Sequence, residues 1–201
     1  MPVARNLEGR AATAPGRLIV VLGPSGSGKD SLISYARREI AGVADVLFVR
    51  RAITRPADMG GEDHVAMTDT EFDAAIDEGH FSLTWAANGL RYGLPRSIEA
   101  HLAAGKLAVV NGSRGAWGVI QQVFPSAAAV EIRVDPVILE QRLQSRGRES
   151  APEIEARLLR ASALKSRFEA DVVIDNSGLL ETAGAALVEY MKMAMATNTD
   201  A

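Results

Sequence analysis

Cysteine is absent from the 201-residue chain. Disulfides and thiolate metal sites are therefore excluded. Long apolar runs are missing as well, since none approaches the ~20 residues that a membrane helix needs. There is no strong charge imbalance. Lys and Arg number 22 against 25 Asp and Glu, for a formal net charge of −3, which leaves no basic footprint for nucleic acid. A secretory signal is not evident either. Met1 to Gly16 carries scattered charges, alanines and a proline but no continuous apolar core. Residues 1–16 read as a disordered leader, and the protein is expected in the cytoplasm with no membrane or nucleic-acid partner.

What is present is an ordinary globular composition, with 47% hydrophobic and 23% charged residues. The length fits one domain over residues 17–201, large enough to bury its own core. Strand and helix signals alternate, which predicts an α/β fold with a mainly parallel five-stranded sheet flanked by helices. Leu18 to Leu22 is a short apolar run, as expected of a buried central strand. Val46–Val49, Lys106–Val110, Ala129–Val134 and Val172–Ile174 read as the other four strands. Helices are expected from Lys29 to Ile40 and from Leu179 to Met195, with Asp135-Pro136 as a cap and first helical position and Gly105 as a stop.

Between the second and third strands the pattern changes. Thr68-Asp69-Thr70-Glu71 is a capping box. Phe81–Ala87 and Leu90–Leu94 flank Asn88-Gly89, a strong hairpin signal. Residues from about 50 to 97 thus form an inserted subdomain of small strands and one helix. Arg142 to Arg160 is a second distinctive stretch, arginine-rich and helical on both sides of Gly147.

The central motif is Gly23-Pro24-Ser25-Gly26-Ser27-Gly28-Lys29-Asp30-Ser31. It follows a buried strand and opens a helix, the context that a phosphate-binding P-loop requires. Its glycines let backbone N–H groups wrap phosphates, and the helix N-terminus adds its dipole. Lys29 reaches the terminal phosphates of ATP as a point charge. The usual pattern places Ser or Thr directly after the lysine to hold Mg²⁺. Here Asp30 stands there, followed by Ser31. A carboxylate is a hard oxygen ligand that also suits Mg²⁺, so Asp30 and Ser31 are the metal candidates. A purely helix-stabilising role for Asp30 in the first turn is the alternative.

Thr54-Arg55-Pro56, Trp85 on a hairpin strand, Tyr92-Gly93 on the returning strand, and Arg142-Leu143 with Arg146-Gly147-Arg148 resemble the guanylate kinase family. With the P-loop, the resemblance covers roughly residues 17 to 176. It implies a P-loop kinase fold with an acceptor-binding insert at about 50–97 and a mobile helical lid at about 142–160. The departures carry information. Thr84 and Leu94 stand where the family reads guanine with a glutamate and a Ser or Thr. Ala57-Asp58-Met59 stands where a second arginine is usual, and His64 replaces a phosphate-holding tyrosine. Losing buried polar pairing costs orders of magnitude in discrimination, so GMP is expected to be a poor substrate.

Asp30 after the lysine, Ile53-Thr54-Arg55, Glu62-Asp63-His64, Trp85-Ala86-Ala87-Asn88-Gly89-Leu90 and Val110-Asn111-Gly112-Ser113-Arg114 together resemble the ribose 1,5-bisphosphate phosphokinase family of phosphonate degradation. That resemblance implies a sugar-phosphate acceptor, ATP and Mg²⁺ as cofactors, and 5-phosphoribosyl 1-diphosphate as product. Arg50, Arg51, Arg55, Arg91, Arg96 and Arg114 are available near the acceptor, and arginine's planar fork suits phosphate. Arg55, His64, Tyr92 and Arg114 are the expected acceptor contacts. Lys29, Arg146 and Arg148 are the expected catalytic charges. Trp85 fits equally a ligand stack or a pocket wall, while His80 and His101 read as surface or helix-end residues. The rival readings are a nucleoside-monophosphate kinase and a non-catalytic module that binds protein partners. The oligomeric state is not fixed by the sequence, and a homodimer stays open.

Overall fold

Five consecutive buried apolar residues form β1 (Leu18–Leu22), and the loop after it leads directly into α1 (Lys29–Glu39). The computed structural model describes residues 16–43, 45–56, 62–147, 151–163 and 169–196; the proposed leader up to residue 15, the 57–61 segment and residues 148–150 lie outside these. After β2 (Val46–Phe48) come two short strands, β3 (Ala52–Ile53) and β4 (Val65–Ala66). Then α2 (Asp69–Asp77) begins at Thr68 with the expected capping box, Thr68 and Glu71 each serving the other's backbone N–H. Next stand β5 (Phe81–Ala87) and β6 (Leu90–Pro95), joined through Asn88 and Gly89 at φ 53° and 75°. Both positive values match the twist that a two-residue hairpin needs.

The chain continues through α3 (Ser97–Ala103), β7 (Leu107–Asn111), α4 (Trp117–Val123) and β8 (Ala128–Arg133). Asp135 caps α5 (Pro136–Arg146) by accepting from Val137 N–H at 2.8 Å, with proline at the first helical position. Finally α6 (Ala151–Ala163), β9 (Val172–Asp175) and α7 (Leu180–Ala196) close the chain.

Five strands pair in the order β2-β7-β1-β8-β9, every pairing parallel. Strand alternation divides β1 between two cores. Ile19 and Val21 face Leu32 and Ala36 of α1 and Leu187 and Met191 of α7. Leu18, Val20 and Leu22 face Ile98 of α3, Trp117 and Ile120 of α4, and Leu94 of β6. Because Leu94 is shared, the smaller sheet β4-β3-β6-β5 packs on the second core. A third cluster of Leu139, Leu143 and Ile154 joins α5 to α6.

α3 is anticipated only by its stop at Gly105 and α4 not at all, as both are only seven residues long. None of the helices among the described residues is long and apolar enough to cross a membrane. Every strand of the main sheet ends at the same side, and that is where open α/β sheets take ligands.

Candidate active site

Four strand ends converge around the loop at 23–31. β1 runs into the loop itself, β7 ends on Asn111, β8 carries Glu131 near its end, and β9 is followed by Asn176. Asn176 is almost fully buried and donates from Nδ2 to the Ser27 carbonyl at 2.7 Å. Gly28 sits at φ 86°, and a Cβ there would lie 2.5 Å from the same Nδ2. Only glycine meets both constraints. The loop's shape is therefore set from β9, 149 residues away in sequence.

Lys29 turns back onto its own loop, donating to the carbonyls of Gly23 at 3.1 Å and Pro24 at 2.9 Å. Burial pushes its pKa down to about 8. Asp30 and Glu62 oppose that shift, and Arg51 and Arg114 reinforce it. Those influences place residues of the insert and of the β7 end within electrostatic reach of the loop lysine.

Asp30 lies in the first turn of α1 and accepts a hydrogen bond from Asn111 Nδ2 at 2.6 Å. The oxygen of that amide, Asn111 Oδ1, is buried without a partner. Ser31 is exposed, about 100° further round the helix than Asp30. No group of three His, Cys, Asp or Glu among the described residues can hold a metal. A carboxylate beside an orphaned amide oxygen nevertheless fits Mg²⁺, which takes few protein ligands and completes its shell with phosphate and water.

The six arginines expected near the acceptor separate into distinct groups. Arg91 pairs with Asp73 and Asp69 and lies over Phe72, and Arg96 meets Glu99 at the surface. Arg50 and Arg37 clamp Asp63, at 2.7 and 3.2 Å. Arg51 is buried and bound bidentately to Glu62. Arg55 and Arg114 pair with no carboxylate among the described residues. Arg55 keeps a buried Nε without a partner. Burial pushes the Arg114 pKa down, against the pull of Glu131. A half-buried cation in this condition gains by meeting an anion.

Tyr92 stacks on Trp85, with centroids 5.3 Å apart and planes at 8°. Burial raises its pKa, while Arg51 and Arg55 pull the other way, so its hydroxyl stays protonated at neutral pH. His64 is buried, with Nδ1 2.9 Å from the Glu62 carbonyl and Nε2 3.1 Å from the Arg55 carbonyl. Arg55 Nη2 stands 3.5 Å from Nδ1. The ring joins the two ends of the 55–64 segment through their backbone. Arg146 ends α5, and its side chain and all of Arg148 lie outside the described residues.

Sequence reasoning missed Asn176, and it named Arg51 and Glu62 without giving either a role of its own. Glu62-Asp63-His64 is visible as a motif, but its pairing with Arg51 depends on the register of β3 against β4. At the expected guanine-reading positions, Leu94 is sealed in the core and Thr84 faces outward from β5.

A family model described as guanylate kinase matches residues 15–194. Ribose 1,5-bisphosphate phosphokinase PhnN of Desulfomicrobium baculatum is 48% identical over 171 residues, covering 85% of this chain and 91% of that protein. Its namesake in Thiobacillus denitrificans is 43% identical, covering 90% and 96%. Among solved structures, guanylate kinase from Anaplasma phagocytophilum superposes with a TM-score of 0.64 at 18% identity, covering 91% of this chain and 88% of that one.

Proposed function

The chain belongs to the guanylate kinase family and, within it, to the ribose 1,5-bisphosphate phosphokinases, and from that premise we propose that it transfers the γ-phosphoryl group of ATP to the 1-phosphate of ribose 1,5-bisphosphate. The products are ADP and 5-phosphoribosyl 1-diphosphate. One observation carries the reading on the structural side. A phosphate-binding loop feels the charge of Arg114, a half-buried cation that pairs with no carboxylate among the described residues, while Leu94 is withdrawn into the core and Thr84 faces solvent. Such a site has charge for phosphates and no polar pair there for a base.

The nucleophile is an oxygen of the 1-phosphate, already anionic at neutral pH. It forms a bond to the γ-phosphorus as the bond to the β–γ bridging oxygen breaks, and ADP leaves with that electron pair. No net proton moves, so no general base is required. Catalysis rests on alignment and charge neutralisation. The backbone of Gly23, Pro24, Ser25, Gly26, Ser27 and Gly28 wraps the phosphates of ATP. Lys29 exchanges its two carbonyl partners for phosphate oxygens. Arg55, Arg114 and the Tyr92 hydroxyl hold the acceptor's phosphates, and His64 positions Arg55 through the backbone.

Asp30 would hold Mg²⁺, directly or through water, with Asn111 orienting it and Ser31 in support. The chemistry a bound Mg²⁺ supplies is neutralisation of charge on the phosphates. Arg146 and Arg148 would add positive charge from the expected lid at about 142–160, whose closure would exclude water and so suppress ATP hydrolysis. Both reactants are multiply charged and do not cross a bilayer unaided, which supports the cytoplasm as the place of work.

Product identification tests the reading. Purified protein with Mg²⁺, ATP and ribose 1,5-bisphosphate is expected to yield the phosphorus NMR signature of a diphosphate on carbon 1. Formation of inorganic phosphate alone would reject it.

A further inference from the structure

The acceptor side contains a buried ion pair that phosphate binding leaves without a task. Arg51 is 5% exposed and donates from Nε and Nη2 to the two carboxylate oxygens of Glu62, at 2.8 and 2.5 Å. Its guanidinium lies 5.0 Å from the Tyr92 ring centre and 5.7 Å from that of Trp85. Edge and face are thus both occupied, and the rigid fork fixes the plane of the Glu62 carboxylate.

Glu62 is an odd group for a phosphate site. Through Arg51 it is held beside the Tyr92 ring, and its charge is felt by both Lys29 and Tyr92. A carboxylate there repels phosphate oxygens. It can only accept hydrogen bonds, and Arg51 takes one lone pair on each oxygen, leaving an outward lone pair on both. The nearby donors Lys29, Arg55, Arg114 and Tyr92 are the ones that phosphates will claim. A ribose bisphosphate brings donors of its own in one place only, the vicinal hydroxyls of carbons 2 and 3. The two lone pairs left free diverge on opposite flanks of the carboxylate, so one of them can meet one of these hydroxyls.

We propose that Glu62, held by Arg51, is the specificity-determining residue that accepts a hydrogen bond from the 2-hydroxyl of the acceptor sugar, the hydroxyl beside the reacting 1-phosphate. This inference rests on the functional reading above. It makes Glu62 the group that selects a ribose over a deoxyribose and fixes the rotation of the sugar between its two phosphates. Arg51 acts through Glu62 as a positioning residue.

The test compares ribose 1,5-bisphosphate with 2-deoxyribose 1,5-bisphosphate on the full-length protein. The wild type is expected to prefer the ribose by about tenfold to a hundredfold in kcat/KM, the loss that follows when a charged acceptor misses its donor. In Glu62→Gln the preference should shrink several-fold, mainly through KM for the ribose, with KM for ATP unchanged. The double variant R51M/E62L removes the pair without stranding a buried charge, and it should treat the two sugars alike. A wild type that turns over both sugars within twofold overturns the inference alone, and that result depends on no variant folding. The same holds if Glu62→Gln or the double variant keeps the full preference. No turnover of ribose 1,5-bisphosphate by the wild type overturns the functional reading and this inference together.

Discussion

Asn111 at the end of β7 donates from Nδ2 to Asp30 Oδ1 at 2.6 Å, across 81 positions of sequence. The bond sets a carboxylate where P-loops ordinarily carry a hydroxyl. It also leaves Asn111 Oδ1 buried without a donor, a state that costs free energy unless a ligand or its water completes it. Two departures from the common P-loop kinase pattern, one after the lysine and one at the end of β7, are thus a single interacting unit.

Asp30→Asn should raise the Mg²⁺ concentration that gives half-maximal rate by about tenfold or more, as loss of a metal-site group does. Metal-free ATP binding should be unchanged or tighter, because a negative charge has left the phosphate site. Asn111→Leu should move the midpoint in the same direction by less. Rates titrated with Mg²⁺ at fixed ATP check both. An unmoved midpoint in Asp30→Asn would remove the metal role.

Lys29 gives a pH-dependent prediction. Its pKa is held down to about 8 by burial, and phosphates of ATP will raise it. At a pH between the free and bound values, binding takes up a proton, so affinity falls as pH rises above about 8. Calorimetric titrations at pH 8 in two buffers of different ionisation enthalpy should reveal uptake of about half a proton per ATP. Lys29→Met should abolish that uptake along with turnover. Its fold should persist, since a buried charge has been removed rather than stranded.

Arg114 should act on the acceptor and not on ATP. It is half-buried and pairs with no carboxylate among the described residues, Glu131 acting on it through its field. Arg114→Gln is expected to lower kcat/KM for the sugar bisphosphate by about tenfold to a hundredfold, the scale of a lost charge-assisted hydrogen bond. Calorimetric ATP affinity should change by less than about threefold. A variant that loses ATP binding and keeps acceptor KM would assign Arg114 to the nucleotide.

Gly28→Ala should damage the loop more than the fold. The new Cβ meets Asn176 at 2.5 Å, in a backbone conformation of φ 86°. A cost of about 1–3 kcal/mol is expected from the strain. ATP binding should weaken by more than tenfold while the far-ultraviolet spectrum stays native. Unchanged ATP affinity would mean that Asn176 yields without moving the loop.

Much of the architecture is legible in local chemistry. The run Leu18–Leu22 is buried on both faces, so it reads as a continuous apolar strand. Thr68 and Glu71 are three residues apart, Asn88 and Gly89 are adjacent, and Asp135 precedes a proline. Each of these signals is complete within a few residues, and each is found in place. β3 and β4 are only two residues long, too short for alternation to reveal. The side chains that shape the site are paired over long separations: Asn176 with Ser27, Asn111 with Asp30, Arg51 with Glu62. Such contacts are fixed by parallel strand order and register, which no local pattern encodes. His64 illustrates the difference, since its motif is visible while the two carbonyls its ring faces are not.

The central claim is the identity of the acceptor. The most direct test measures kcat/KM for ribose 1,5-bisphosphate and for GMP in parallel, with Mg²⁺ and ATP, and identifies both products by phosphorus NMR. With Leu94 sealed in the core and Thr84 turned outward, the sugar bisphosphate should be preferred by a hundredfold or more, on the order expected when a base finds no polar pairing, with a diphosphate on carbon 1 as product. GDP as the main product would contradict the account and show that guanine is read by residues other than these two.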